Sequence, residues 1–455
     1  MPNNQLYPLR SPSQAFAARL LMIRAAQQQL DVQYYIWRND ITSSILMSEL
    51  LQAADRGVRV RVLLDDYGTS GLDSELAALD MHPNIEVRLF NPFAIRRFKA
   101  LGYLTHFSRA NRRMHNKSLS ADSAITVIGG RNIGDEYFGA ASTLFTDLDV
   151  AAWGPIAKSV TDDFERYWNC PCVQNLDSLG IRAGQRAQQK LQQRLEQHLS
   201  SSKAQHYREM IEHSEFQSLW KSNQLPLITA HVDMLSDDPA KGLGKATQEQ
   251  LLLSQLLKLI GHPKQTWELV SPYFVPTAIG TEQFCALAKQ GVRVRILTNS
   301  LAATNVPAVH ADYAKRRKAL LEAGVELFEL RYRPAVHDVE HEQTNVLDTL
   351  GFTLHAKTFS TDNQDIFIGS FNFDPRSAIL NTELGFVIES PELANQLVSV
   401  FDHDLPHLAY SVRLNEHGKL YWEIDGQKFT TEPDTSWWLR AKVRLLALLP
   451  LEWML

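Results

Sequence analysis

Cysteine is scarce in this chain, with Cys170, Cys172 and Cys285 as the only three in 455 residues. So few, and an odd number, exclude a disulfide-scaffolded fold and fit a reducing compartment. Cys170-Pro171-Cys172 has no further Cys or His nearby, so it reads as a surface turn rather than a metal site. Also missing is any run near the ~20 apolar residues of a membrane-crossing helix. The opening MPNNQLYPLR shows no charged region followed by an apolar one, so no secretory signal is expected. Neither charge sign is in large excess: 46 Lys+Arg against 51 Asp+Glu leave −5, which argues against a wholesale nucleic-acid binder. The remainder is ordinary globular material, 44% hydrophobic and 21% charged. At about 150 residues per domain, it suffices for two to four cores.

The chain repeats itself. RGVRVRVLL at 56–64 returns as QGVRVRIL at 290–297, each after a helical stretch, and each of those follows an apolar run with tyrosine (LDVQYYIW, ELVSPYFV). Strand, helix, glycine, strand is a β-α-β unit, with Gly57 and Gly291 where a helix end favours a left-handed residue. IEVRLF (85–90) and VELFEL (325–330) add a further strand to each copy. One α/β fold used twice is expected: a first half over 1–172, a polar helical insert over 173–225, a second half over 226–412 and an extension over 413–455. The insert, with RAQQKLQQRLEQHL, reads as solvent-facing helix. SDDPAKGLGKA (236–246) reads as a plain loop: Lys241 and Lys245 could reach a phosphate, but the glycines match no phosphate-loop spacing. PAVHDVEHEQTNVLDTL (334–350) reads as a polar loop. The tail, WWLRAKVRLLALLPLEWML from Trp437 to Leu455, sets Arg440, Lys442 and Arg444 among Trp and Leu. It suits either a helix lying in a bilayer interface or a helix docked on its own domain.

The chemistry sits in two copies of one spacing, H-x-K-x4-D-x6-G-x2-N. His115, Lys117, Asp122, Gly129 and Asn132 form one copy; His355, Lys357, Asp362, Gly369 and Asn372 form the other. In an extended segment His and Lys two residues apart share a face. The Gly-Gly or Gly-Ser step at 129–130 and 369–370 is expected to let backbone N–H groups approach a ligand, with Asn adding an amide donor. If the halves face each other, two imidazoles, two ammonium groups and two amides surround one pocket. That environment suits a phosphodiester: donors on the equatorial oxygens and one histidine on each side for in-line displacement. Each ring needs a carboxylate to fix its tautomer. Glu383 in NTELGFVI and Asp147 in FTDLDVAA are the candidates, with Asp149 competing for the second place. Asp122 and Asp362, at strand turns, belong to the motif but are expected to hold loops. A lone histidine on a strand is usually structural, and the duplicated spacing reverses that expectation. Metal is not expected, because a lysine beside each histidine repels a cation and no Cys or carboxylate sits at ligand spacing.

At these residues the chain resembles the phospholipase D superfamily, whose members carry this HKD motif twice. RMHNKS, GGRNIGD, LTNSLAATNV, GSFNFDPRS and NTELGFVIES are similar to bacterial cardiolipin synthases, most closely the branch called cardiolipin synthase C, and the similarity runs nearly end to end. One departure is Gly130, where the first motif usually has Ser. The resemblance implies two tandem α/β/α sandwich halves forming an intramolecular pseudo-dimer with one shared active site. It implies phosphatidyl transfer through a phosphohistidine, with no cofactor, from phosphatidylethanolamine or phosphatidylglycerol to phosphatidylglycerol. His115 would be the nucleophile and His355 the acid and base. Lys117, Lys357, Asn132, Asn372 and Ser370 would stabilise phosphoryl oxygens, and Asp147 and Glu383 would orient the rings. Hydrolysis, as in a phospholipase D, is the alternative; a nuclease is a lesser one, given Arg109, Arg112 and Arg113. A non-enzymatic scaffold would show broken motifs, and both are whole. The expected setting is peripheral, on the cytoplasmic face of the cell membrane, with Trp437–Leu455 on an anionic surface and no nucleic-acid partner.

Overall fold

Gly57 and Gly291 each end a helix at left-handed φ, 94° and 92°, and open the strands formed by the two RVRV strings. The computed structural model describes residues 4–93, 96, 107–141, 144–332, 353–450 and 452. The polar loop expected at 334–350, and the end of the tail with Trp453, lie outside the described residues.

The strands of the first half are β1 (Asn4–Leu9), β2 (Gln29–Ile36), β3 (Arg59–Gly68), β4 (Ile85–Phe90), β5 (Ser118–Ala121), β6 (Ile125–Gly129), β7 (Phe145–Thr146), β8 (Asp149–Trp153) and β9 (Val173–Asn175). Those of the second are β10 (Ile228–Ser236), β11 (Thr266–Val270), β12 (Arg293–Asn299), β13 (Glu326–Leu330), β14 (Thr353–Leu354), β15 (Thr358–Thr361), β16 (Asp365–Gly369), β17 (Leu384–Glu389), β18 (Ala409–Leu414), β19 (Leu420–Ile424) and β20 (Gln427–Phe429). In space the first half runs β4-β3-β2-β5-β6-β8-β1 and the second β13-β12-β11-β15-β16-β17-β10. The two orders are identical by position in the repeat. In each half the first three strands are parallel and the motif hairpin adds antiparallel strands. β1 pairs with β10, with Gln5 opposite Thr229, and fuses both halves into one 18-stranded sheet.

The repeated arginines have a structural cause. Arg61 on β3 meets Asp31 on β2 at 2.8 Å, and Arg295 on β12 meets Glu268 on β11 at 2.9 Å, all four buried. Such buried pairs specify register more than they stabilise, because desolvation offsets most of the attraction. Helix starts are set by local chemistry: Ser11 with Gln14 and Asp40 with Ser43 form capping boxes for Pro12–Ala25 and Ile41–Asp55.

Two expectations change here. The insert is not wholly solvent-facing: its helices Gln185–Leu199, Ser202–Glu212 and Glu215–Lys221 bury Leu191, Leu195, Tyr207, Ile211 and Phe216 in the first-half core. Its charged residues take the outer face of a stripe that burial of apolar area holds down. Cys170 and Cys172 form no surface turn. They are buried, joined in a disulfide, and covered by the second half, with Pro239 O 3.9 and 3.8 Å from their sulfurs. No helix among the described residues is long and apolar enough to cross a membrane.

Candidate active site

Each motif histidine hangs on the other half. His115 N–H donates to Thr382 O at 2.9 Å and Thr382 N–H returns a bond to Arg113 O at 2.9 Å. His355 N–H donates to Thr146 O at 2.8 Å, where β14 runs parallel to β7. Thr382 and Thr146 directly precede the two candidate carboxylates. His115 Nδ1 therefore lies 2.8 Å from Glu383 Oε2, and His355 Nδ1 lies 2.5 Å from Asp147 Oδ2. Every ring takes its carboxylate from across the pseudo-dimer. With Nδ1 engaged, Nε2 of each ring is the atom left for chemistry. Asp149, the competing candidate, is occupied by Arg19 at 2.8 Å and Arg131 at 3.5 Å.

Around the rings, Lys117 Nζ donates to His115 O at 2.5 Å, and Lys357 Nζ donates to His355 O and lies 3.0 Å from His355 Nδ1. Both lysines are buried. Burial lowers the Lys117 ammonium to about 7 and the Lys357 ammonium to about 8. Burial and the two lysines push His115 well below the usual imidazole range and His355 down to about 3, so both rings are neutral at pH 7. The carboxylates diverge. Burial raises Glu383 to about 7, the nearby Lys117 lowering it only in part. Burial also raises Asp147, but His355, Lys357 and Arg131 overcome that and hold it well below the ordinary carboxylate range.

Aromatic walls that the sequence reading did not single out complete the site. Tyr35 stands edge-on to His115 with ring centroids 5.0 Å apart, while Tyr137 and Phe145 flank His355 at 5.2 and 5.3 Å. The repeated Thr-Asp and Thr-Glu dipeptides before the carboxylates were the available signal for the backbone contacts.

Not every motif residue converges here. Asp122 accepts N–H groups from Gln27, Gln28 and Gln29, each at 2.8 Å, and Asp362 accepts those of Lys264, Gln265 and Thr266 at 2.7 to 3.1 Å. Their grouping with the catalytic set is corrected accordingly: these carboxylates tie the motif hairpin to the start of β2 or β11. The glycine step is also corrected. Gly130 N–H and Ser370 N–H point at Leu148 O and Leu384 O of the neighbouring strand, at 3.4 and 2.9 Å, rather than at a ligand. A Cβ on Gly129 would sit 2.6 Å from Leu148 O and one on Gly369 2.5 Å from Leu384 O, so glycine here permits close strand contact. Asn132 accepts from Ile36 N–H at 3.1 Å and donates to Tyr137 OH at 3.0 Å, which leaves one amide hydrogen. Asn372 is buried with its Oδ1 unpaired, and Ser370 Oγ donates to Glu383 Oε2 at 2.5 Å. Among the described residues, the group that could share a metal ion is His231, Asp233 and Glu389, at the end of β17 remote from Glu383.

A family model described as "Cardiolipin synthase, PLD-like domain" matches residues 20–168 and 256–405. The chain is 48% identical to cardiolipin synthase C of Escherichia coli (strain K12) over 99% of its own length and 96% of that protein's. It is 24% identical to cardiolipin synthase B of the same strain, covering 96% and 85% of the two chains. In structure it is similar to phosphatidylserine synthase of Haemophilus influenzae Rd KW20, with a TM-score of 0.60 at 14% identity over 99% of this chain and 95% of that one, a likeness of fold. With both halves matched and the two motifs meeting in one crossed site, this chain belongs to the phospholipase D-like cardiolipin synthase family.

Proposed function

We propose that the protein is a phosphatidyltransferase that makes cardiolipin, moving a phosphatidyl group from phosphatidylethanolamine or phosphatidylglycerol to the glycerol headgroup of a phosphatidylglycerol. The observation that carries this is the crossed pairing of His115 with Glu383 and His355 with Asp147. His115 Nε2 attacks phosphorus as the bond to the headgroup oxygen breaks, and His355 gives its proton to that oxygen. The acceptor hydroxyl then loses its proton to His355 and attacks phosphorus, and the P–N bond to His115 breaks. The division of labour follows the carboxylates. Ionised Asp147 supports the ring that must hold a proton, and the bound phosphodiester anion raises that ring and favours the charged forms of Lys117 and Lys357. The Asn372 amide and the remaining Asn132 hydrogen assist at the phosphoryl oxygens, while Ser370, whose hydroxyl hydrogen goes to Glu383, supports that carboxylate. On this reading residues 1–172 and 226–412 act as one catalytic unit.

The helix Trp437–Leu446 adds a membrane contact. Val443 is buried against Leu301 and Ala311, with Leu439 and Leu446 beside it. Leu301 lies two residues past Asn299, whose side chain bonds Leu354 both ways at 2.9 and 3.0 Å, next to His355. The helix thus docks on the flank of the site and leaves Trp437, Trp438, Leu445, Leu448 and Leu449 outward, Trp438 at 68% and Leu448 at 80% exposure. These side chains, with Lys442 and Arg444, suit an anionic bilayer interface. The same reading keeps the protein peripheral, on the cytoplasmic face of the cell membrane.

Incubating purified protein with phosphatidylglycerol vesicles, with and without phosphatidylethanolamine, and analysing products by mass spectrometry tests the activity. Cardiolipin is expected; phosphatidic acid alone would make the protein a hydrolase. Removing residues 437–455 should weaken vesicle binding and lower turnover on vesicles more than on detergent-dispersed lipid. Equal loss in both would refute the membrane contact.

A further inference from the structure

Behind Glu383 lies a buried ion pair that the mechanism has not used. Asp237 Oδ2 accepts from Lys241 Nζ at 2.9 Å and from the backbone N–H of Glu383 at 2.9 Å, while Asp237 N–H donates to Glu383 O at 3.1 Å. Asp237 Oδ1 accepts from Leu252 N–H at 2.8 Å. Lys241 Nζ also donates to Ser377 O at 2.8 Å, and Ser377 Oγ accepts from Asn372 N–H at 3.3 Å. Both members of the pair are buried, at 0% and 2% exposure. The turn that carries Lys241, Pro239–Leu243, is clamped by the first half. Asn91 Nδ2 donates to Gly242 O at 2.7 Å and Arg112 Nη1 to Lys241 O at 3.1 Å. A Cβ on Gly242 would meet Phe90 at 2.4 Å, and Pro239 covers the Cys170–Cys172 disulfide. The plain loop expected from the sequence is instead a strut between Glu383, the second motif and the first half.

Resting on the phosphatidyltransferase reading, we propose that Asp237 and Lys241 are positioning residues that hold Glu383 against His115 and tune its support of that ring during transfer. Six charged or titratable groups face Glu383: His115, Lys117, Lys357, Asp374, Asp237 and Lys241. Asp163 stands behind Asp237. Lys241 favours the anionic form of Glu383, and Asp237 opposes it. The two members of one ion pair therefore act on Glu383 with opposite sign. A role in folding alone would have no sign.

The test is the acid limb of kcat/KM, read as headgroup release, for Lys241→Met and Asp237→Asn beside the full-length protein. Headgroup release is scored whether the product is cardiolipin or phosphatidic acid, so a failed transferase reading does not mask the result. Lys241→Met is expected to move the limb to higher pH and Asp237→Asn to lower pH, each by about one unit. In a Glu383→Gln background neither substitution should move it. Loss at every pH with an unmoved limb, or shifts of the same sign, overturns the proposal. Should either variant not fold, Lys241→Arg and Asp237→Glu keep the charges and alter the reach. They are expected to lower kcat with the limb in place, and wild-type kcat in both would overturn the proposal.

Discussion

His355 leans on Asp147 and His115 on Glu383, and the two pairs differ by one methylene and one hydroxyl. At Gly130 a Cβ would lie 2.1 Å from Asp147 Oδ1, so the short carboxylate fills the place a serine would take. At the matching position Ser370 Oγ donates to the longer Glu383. Behind Asp147 the nearer member of an ion pair is the cation, Arg131, whose Nη2 donates to Asp147 O at 2.6 Å with Asp149 beyond it; behind Glu383 the acid of the pair, Asp237, takes the backbone N–H. Two halves of one fold thus give one firmly ionised carboxylate and one poised near neutrality, raised by burial to about 7. The same geometry occurs in both halves, and the residues around it set the two carboxylates apart.

The largest effect should come from the rings. His115→Ala, His355→Ala and the double variant should each lose about 10^4-fold or more in kcat, non-additively, because both rings serve one displacement. Near wild-type turnover in either single variant would break the shared site. Next, Asp147→Asn should cost on the order of 10^3–10^4 in kcat. Glu383→Gln should cost roughly tenfold less and flatten the acid limb. Equal losses would mean the pairs differ in shape only. In the wild type, activity falls as pH drops through about 7, where Glu383 gains its proton. It should fall again as pH rises through about 7 to 8, where Lys117 and Lys357 lose theirs, so kcat/KM should show a narrow maximum near 7. Gly130→Ser forces Asp147 aside and should cost about 1–3 kcal/mol by denaturant titration together with much of kcat. Asp122→Asn and Asp362→Asn, where the halves are alike, should each cost about 1–2 kcal/mol of stability and leave kcat within about twofold. Excess EDTA should change nothing; full loss restored by zinc or magnesium would direct attention to His231, Asp233 and Glu389.

Much of this was legible before any coordinates. The doubled RVRV strings, the left-handed glycines and the paired motif spacing are local patterns, and residue order alone narrowed the ring carboxylates to Glu383 and to Asp147 or Asp149. What stayed hidden depends on distance along the chain. Which carboxylate serves which histidine is decided by contacts 268 and 208 residues apart. The Cys-Pro-Cys step looked exposed because its cover, Pro239, lies in the other half. Lys241 looked like a loop residue because Asp237, four residues away, reads as a solvated neighbour, and Ser377 reaches it from 136 residues further along the chain. The glycine step was misread because an adjoining strand, rather than a ligand, fills the space beside it.

The crossing also sets a clock on biosynthesis. His115 leaves the ribosome 268 residues before Glu383. At roughly 5–20 residues per second that interval is about 13 to 54 seconds. Throughout it the first half carries a complete motif whose ring has neither its carboxylate nor its backbone acceptor at Thr382. A nascent or truncated chain that lacks Glu383 is therefore expected to be chemically silent toward phospholipid. Competence is expected only once Glu383 and the strand that follows it, β17, have joined the first half.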